Sequence, residues 1–189
     1  MSSPTVCNPR AEASALLPEG HEARVLEPSP PASTDPDWFA DFHDPLTPGD
    51  PAAELPVDPA ASRVLGDWFG FATAVLEELR RTDGARQVGR VQLWPEHFDP
   101  AVELGDRGAD QRASYGASPG DVDHEQPYLY VAAWAEIDRT VPFWNDGAFN
   151  GASITYRELQ ATADPFETAL DFLRTGHRIL TGSPAGQVA

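Results

Sequence analysis

The side chains best suited to chemistry fall in two short clusters. LWPEHFD (93–99) sets His97 and Asp99 beside Glu96, between Trp94 and Phe98. GDVDHEQP (120–127) holds Asp121, Asp123, His124 and Glu125. On an extended chain, Trp94, Glu96 and Phe98 would share one face and Pro95, His97 and Asp99 the other, because successive side chains alternate across a strand. His97 and Asp99 together suit two tasks: ligating a divalent cation, or a carboxylate orienting an imidazole as general base. Joined by Asp121 and His124, they form a two-His, two-carboxylate set of a kind that holds divalent metals. No diagnostic motif such as HExxH supports that set. The plainer reading is turn chemistry at Asp99-Pro100 and Gly120-Asp121, with the histidines as hydrogen-bonded packing residues.

Two further stretches carry candidates. In RASYGASPGD (112–121), the Arg112 guanidinium could grip a carboxylate or phosphate through two parallel hydrogen bonds. Gly116 and Gly120 permit tight turns, and Ser114 and Ser118 supply hydroxyls. The stretch is not GxxxxGK[ST] and the chain has no Lys, which favours a long ordered loop with Arg112 paired to an acid. Gly116-Ala117-Ser118-Pro119-Gly120 has the Gly-x-Ser-x-Gly spacing, but the next expected element is a strand, whereas a nucleophile elbow leads into a helix. FWNDGAFNGA (143–152) surrounds two turn signals, Asn145-Asp146-Gly147 and Asn150-Gly151, with Phe143, Trp144 and Phe149. Tyr115, Trp144 and Asn145 therefore join Arg112 as candidates for an anion site or ligand pocket. Loop aromatics also plug the ends of small cores, the competing reading. His177 sits on an apolar helical face and reads as a core histidine.

The elements that must position these residues are legible from periodicity. Asp58-Pro59 starts a helix expected over 59–82, with Val64, Leu65, Trp68, Phe69, Ala72, Val75, Leu76 and Leu79 on one face. Gly66 and Gly70, one turn apart, suggest close approach of a strand. Strands are expected over 87–94, 100–105, 127–136 and 151–155. If the first and third are neighbours, the two acid–imidazole clusters meet at one sheet end. Asp164-Pro165 opens a last helix, with Phe166, Ala169, Leu170, Leu173, His177 and Leu180 along one side. The order implies an α+β fold: an antiparallel or mixed sheet packed against a long helix and a C-terminal helix.

Residues 1–60 hold twelve of the nineteen prolines. The sequence predicts a disordered or loosely attached Pro-rich tail over 1–36, one α+β domain over 37–182, and a flexible C-terminus over 183–189. Trp38, Phe39 and Phe42 predict that segment 37–46 docks on the domain.

The chain of 189 residues carries a net charge of −17, and all thirteen basic residues are Arg. Such a field disfavours nucleic acid and anionic membrane surfaces as partners and draws in cations. The single cysteine, Cys7, excludes an internal disulfide and a Cys-based zinc cluster. No signal-like start and no membrane-length apolar run is present, so the expected location is the cytoplasm.

LWPEHFD, RASYGASPGD, PYLYVAAW (127–134), FWNDGAFNGA and DFLRTGHRIL (171–180) occur in this order in an uncharacterised family of bacterial proteins. The chain resembles that family over about residues 42–180. Members carry a further N-terminal portion, so the resemblance implies a C-terminal half whose first half is missing or replaced. It implies no reaction and no catalytic residues. The residues and the resemblance together favour a non-catalytic interaction or regulatory module, with a protein partner or a second copy of itself. The alternative is a small-ligand or divalent-cation-binding domain with hydrolase activity through His97, Asp99, Asp121 and His124.

Overall fold

A computed structural model of the protein describes residue 54, residues 57–95 and residues 97–182. The expected tail over 1–36, the docking of segment 37–46, the C-terminus 183–189 and Glu96 lie outside the described residues.

The first helix, α1 (Pro59–Leu79), begins where the Asp58 carboxylate accepts from the N–H groups of Ala60 and Ala61, with Pro59 in the first turn. Its 21 residues span about 31 Å. Trp68, Phe71, Ala72, Val75, Leu76 and Leu79 are buried along it. The buried stripe starts one turn later than the periodicity predicts: Val64 is exposed and burial begins at Trp68. Trp68 anchors the helix by donating its indole N–H to the Ser118 carbonyl at 2.9 Å. An ideal Cβ on Gly66 meets nothing within 4 Å, so this glycine makes no close approach to a strand.

Five strands follow in an antiparallel meander whose spatial order is its chain order: β1 (Gln92–Trp94), β2 (Asp99–Leu104), β3 (Ala113–Ser118), β4 (Tyr128–Ala133) and β5 (Gly151–Thr155). Pro100 lacks an N–H and sits near the start of β2, before the ladder to β3 begins at Ala101–Gly116. Strand β3 runs through a stretch read as a loop, because its Ser, Gly and Ala residues carry turn signals rather than strand signals. The expected strand over 87–94 forms a ladder only at its end. Gln87 has a φ of 46°, and the segment before β1 touches β2 through isolated bonds such as Gly89 N–H to Glu103 O at 2.8 Å.

A capping box at Thr155 and Glu158 opens the short α2 (Tyr156–Gln160). The last helix, α3 (Pro165–Thr181), starts where Asp164 accepts from the Glu167 N–H and ends on Gly182 at φ 65°. Gly176 of α3 lies against Val131 of β4. Helices α1 and α3 cover one face of the sheet, where Val102, Tyr115 and Val131 form a buried row across three strands. Residues on the other face, in rows such as Ala101–Gly116–Tyr130–Ser153 and Glu103–Ser114–Ala132–Gly151, are left uncovered by the helices. No helix among the described residues is long and apolar enough to cross a membrane.

Candidate functional site

The uncovered face of the sheet bears a cavity of about 540 Å³. Its floor is set by period-two alternation. Tyr128 and Tyr130 of β4 point to the same side, as do Asp99, Ala101 and Glu103 of β2. The Tyr130 ring lies down across β3: an ideal Cβ at Gly116, its cross-strand partner, would fall 2.3 Å from the Tyr130 hydroxyl oxygen. Only glycine leaves room for that crossing. The hydroxyl reaches β2 and donates to Asp99 Oδ2 at 2.5 Å. Burial, and then the Asp99 charge and hydrogen bond, raise the Tyr130 phenol well above its ordinary range. Trp94, Phe149 and Ser118 complete the walls, and His97 and Asp121 stand in the lining near them.

One end of the cavity is held by an imidazole between two carboxylates. His124 Nδ1 lies 3.0 Å from Asp121 Oδ1, and Nε2 lies 2.9 Å from Asp146 Oδ2. The Asp121 carboxylate also accepts from the main-chain N–H groups of Asp123 and His124, both at 2.9 Å, so the turn caps itself. Its second oxygen accepts from the Tyr128 hydroxyl at 2.7 Å. The imidazole stacks on Tyr128 with ring centres 4.2 Å apart.

Burial lowers the pKa of His124, but the hydrogen bonds to Asp121 and Asp146 and their charges raise it by more, leaving it above the ordinary value. Burial likewise opposes ionisation of Asp121, yet the bonds from Tyr128, His124 and the two main-chain N–H groups bring it down to about 2. Asp146 is lowered in the same way: burial works against it, and bonds from Ser153, the Ala148 N–H and His124 outweigh burial. An imidazolium donating from both nitrogens to two carboxylates is the consistent protonation pattern.

The loop that brings in Asp146 and Phe149 is itself pinned. Arg139 donates to the carbonyls of Asp146 and Phe149. The Asn150 amide spans the carbonyls of Ala133 and Ala135. Asn145 pairs both ways with the main chain of Ser153, donating to its carbonyl at 3.0 Å and accepting from its N–H at 2.9 Å.

The sequence-derived sets are partly assembled. LWPEHFD is not one extended run: Leu93 and Trp94 end β1, Asp99 opens β2, and Phe98 between them has a φ of 51°. Trp94 and Asp99 are instead a cross-strand pair on one face. Strands β1 and β4 are not neighbours, since β2 and β3 separate them. The two clusters still approach, because alternate turns of an antiparallel meander lie at the same sheet end. His97, Asp99 and Asp121 line one cavity, while His124 stands behind Asp121 with both nitrogens engaged. The two-His, two-carboxylate metal set is not formed: among the described residues, no group of three or more His, Cys, Asp or Glu side chains is placed to hold a metal ion.

The second candidate set is dispersed. Arg112 pairs with Glu103 Oε2 at 2.7 Å and donates to the carbonyls of Gln87 and Gly105, so it ties β2, β3 and the segment before β1 together. Tyr115 and Trp144 are buried in the core against the helices. Asn145 serves the β5 edge. His177 is a buried core residue in contact with the Tyr115 hydroxyl at 3.3 Å.

Sequence reasoning missed Tyr128, Tyr130, Asp146 and Glu103, while Phe149 is one of the loop aromatics it offered for a ligand pocket. The signal for the tyrosines was present in PYLYVAAW, where strand alternation places Tyr128 and Tyr130 side by side. No sequence signal links Asp146 to His124 across 22 residues. Neither a family model nor a curated protein nor a solved structure matches this chain.

Proposed function

We propose that the domain is a non-catalytic binding module that takes a small polar ligand on its uncovered sheet face. The observation that carries this reading is the cavity itself. At about 540 Å³ it falls in the range of small-molecule sites, and it combines aromatic walls with a few fixed polar groups. Its floor is set by Tyr130 pinned to Asp99, which lowers the ordering cost of binding.

The engagement of the reactive groups supports binding over catalysis. The His124 nitrogens face carboxylates on both sides, so the ring presents no basic lone pair. The Ser118 hydroxyl accepts from the Gly120 N–H, and the Ser114 hydroxyl accepts from the Trp134 indole, so neither is bonded to a base as a nucleophile requires. The Tyr128 and Tyr130 phenols are pushed up, chiefly by burial, away from the range of a general acid at neutral pH.

The test is a small-molecule screen of the full chain by amide NMR. Hits are expected to shift signals from 97–103, 114–121, 128–132 and 149. Ala132→Leu, which fills the cavity without touching a hydrogen bond, is expected to abolish those shifts. If shifts from every hit persist in the folded Ala132→Leu protein, or if no compound perturbs these residues, the binding reading fails.

A further inference from the structure

The chemistry of the lining narrows the ligand class. Among the described residues, three carboxylates, Asp99, Glu103 and Asp121, and one imidazole, His97, border the cavity, and no Arg does. Arg112 pairs with Glu103 Oε2 at 2.7 Å. Behind Asp121, a single imidazole serves two carboxylates, so the clasp of Asp121, His124 and Asp146 retains negative charge. Four rings, Trp94, Tyr128, Tyr130 and Phe149, supply the apolar surface. Aromatic faces carry negative quadrupole density, which attracts a cation and gives an anion nothing. The field of the whole chain, at −17, raises the local concentration of cations further.

We infer that the ligand is a small organic cation, an ammonium or trimethylammonium group on a short polar chain, seated between the aromatic walls with its charge toward Asp99 and Asp121. The inference rests on the binding reading given above and adds the ligand's charge and shape. A bare metal ion is a poorer match, because the cavity is far larger than a coordination shell and four aromatic rings line it. A purely apolar ligand would bury the carboxylates against hydrocarbon, which is costly.

Choline and its neutral isostere 3,3-dimethylbutan-1-ol have nearly the same shape and differ in charge; 3,3-dimethylbutyrate provides the anion. Titration of the full chain by calorimetry or amide NMR is expected to rank choline first, at least about tenfold tighter than the neutral alcohol, with the carboxylate unbound. Asp99→Asn, whose amide oxygen can still accept from Tyr130, is expected to cut the choline preference to under about threefold. Should that variant fail to fold, Glu103→Gln makes the same charge test at the cavity wall, and Ala132→Leu removes the space while keeping every charge. Equal or tighter binding of the alcohol or the carboxylate in the cavity overturns the cation assignment and leaves the binding module standing. If none of the three binds while the screen above finds other cavity ligands, the cation assignment falls alone; if the screen is also empty, both fall.

Discussion

His124 is the residue on which pH acts most directly. Its folded pKa is raised, so the folded state favours the imidazolium. That contribution is complete below the unfolded value of about 6.5 and is lost as pH rises through the folded value. The carboxylates act with the opposite sign. Asp121, lowered to about 2, adds stability above its unfolded value of about 3.9 that is lost as pH falls. The clasp is therefore strongest between those limits. His124→Gln is expected to destabilise the domain by about 1–3 kcal/mol near pH 6, with the deficit shrinking toward pH 9. Chemical denaturation of both proteins at the two pH values measures this; a deficit that grows with pH would contradict the imidazolium. His177 opposes the trend, since burial lowers its pKa and its contribution fades as pH falls below the ordinary histidine range. The role of His177 was legible from its place on an apolar helical face. That of His124 was not, because the partner that fixes it, Asp146, belongs to a loop whose path depends on β5 being in place.

At the scale of elements, two glycines in helices show how contact decides the sign of a substitution. An ideal Cβ on Gly66 of α1 meets open space, so Gly66→Ala is expected to stabilise by about 0.5–1 kcal/mol through helix propensity alone. A Cβ on Gly176 of α3 would lie 2.9 Å from Val131 Cγ2 and 3.2 Å from Phe143 Cε1. Val131 is stiff and fully buried, so Gly176→Ala is expected to cost about 1–2 kcal/mol despite the same propensity gain. Urea titrations of the two variants test both signs, and two stabilising outcomes would refute the close packing of α3 on β4. Helices α1 and α3 and strands β2, β4 and β5 were legible because apolar spacing and capping residues agreed locally. Strand β3 was not, for a reason now visible. Gly116 is small because Tyr130 lies over it, so the residue that makes the cavity floor is also the one that erased the strand signal.

On the scale of the whole molecule, the two long helices among the described residues lie on one side of a five-stranded sheet and leave its other side without a helix. The sequence carried the α+β class, but the antiparallel order emerged only with the meander, since local patterns do not encode which strands are neighbours. The charge of −17, without a single Lys to offset it, makes self-repulsion a global cost. Raising salt from about 0.1 to about 1 M shortens the screening length from about 10 to about 3 Å and is expected to raise the melting temperature by several degrees. A fall would mean that surface ion pairs such as Arg81–Glu78 outweigh the repulsion. Asn145 carries a consequence of a different kind. Its amide satisfies the very groups of Ser153 that an incoming extended peptide would seek, so the β5 flank is sealed against recruitment of a further strand. Fibre-like growth is blocked on that side, and any macromolecule that meets this domain there must engage it side-chain to side-chain instead of by splicing into the ladder.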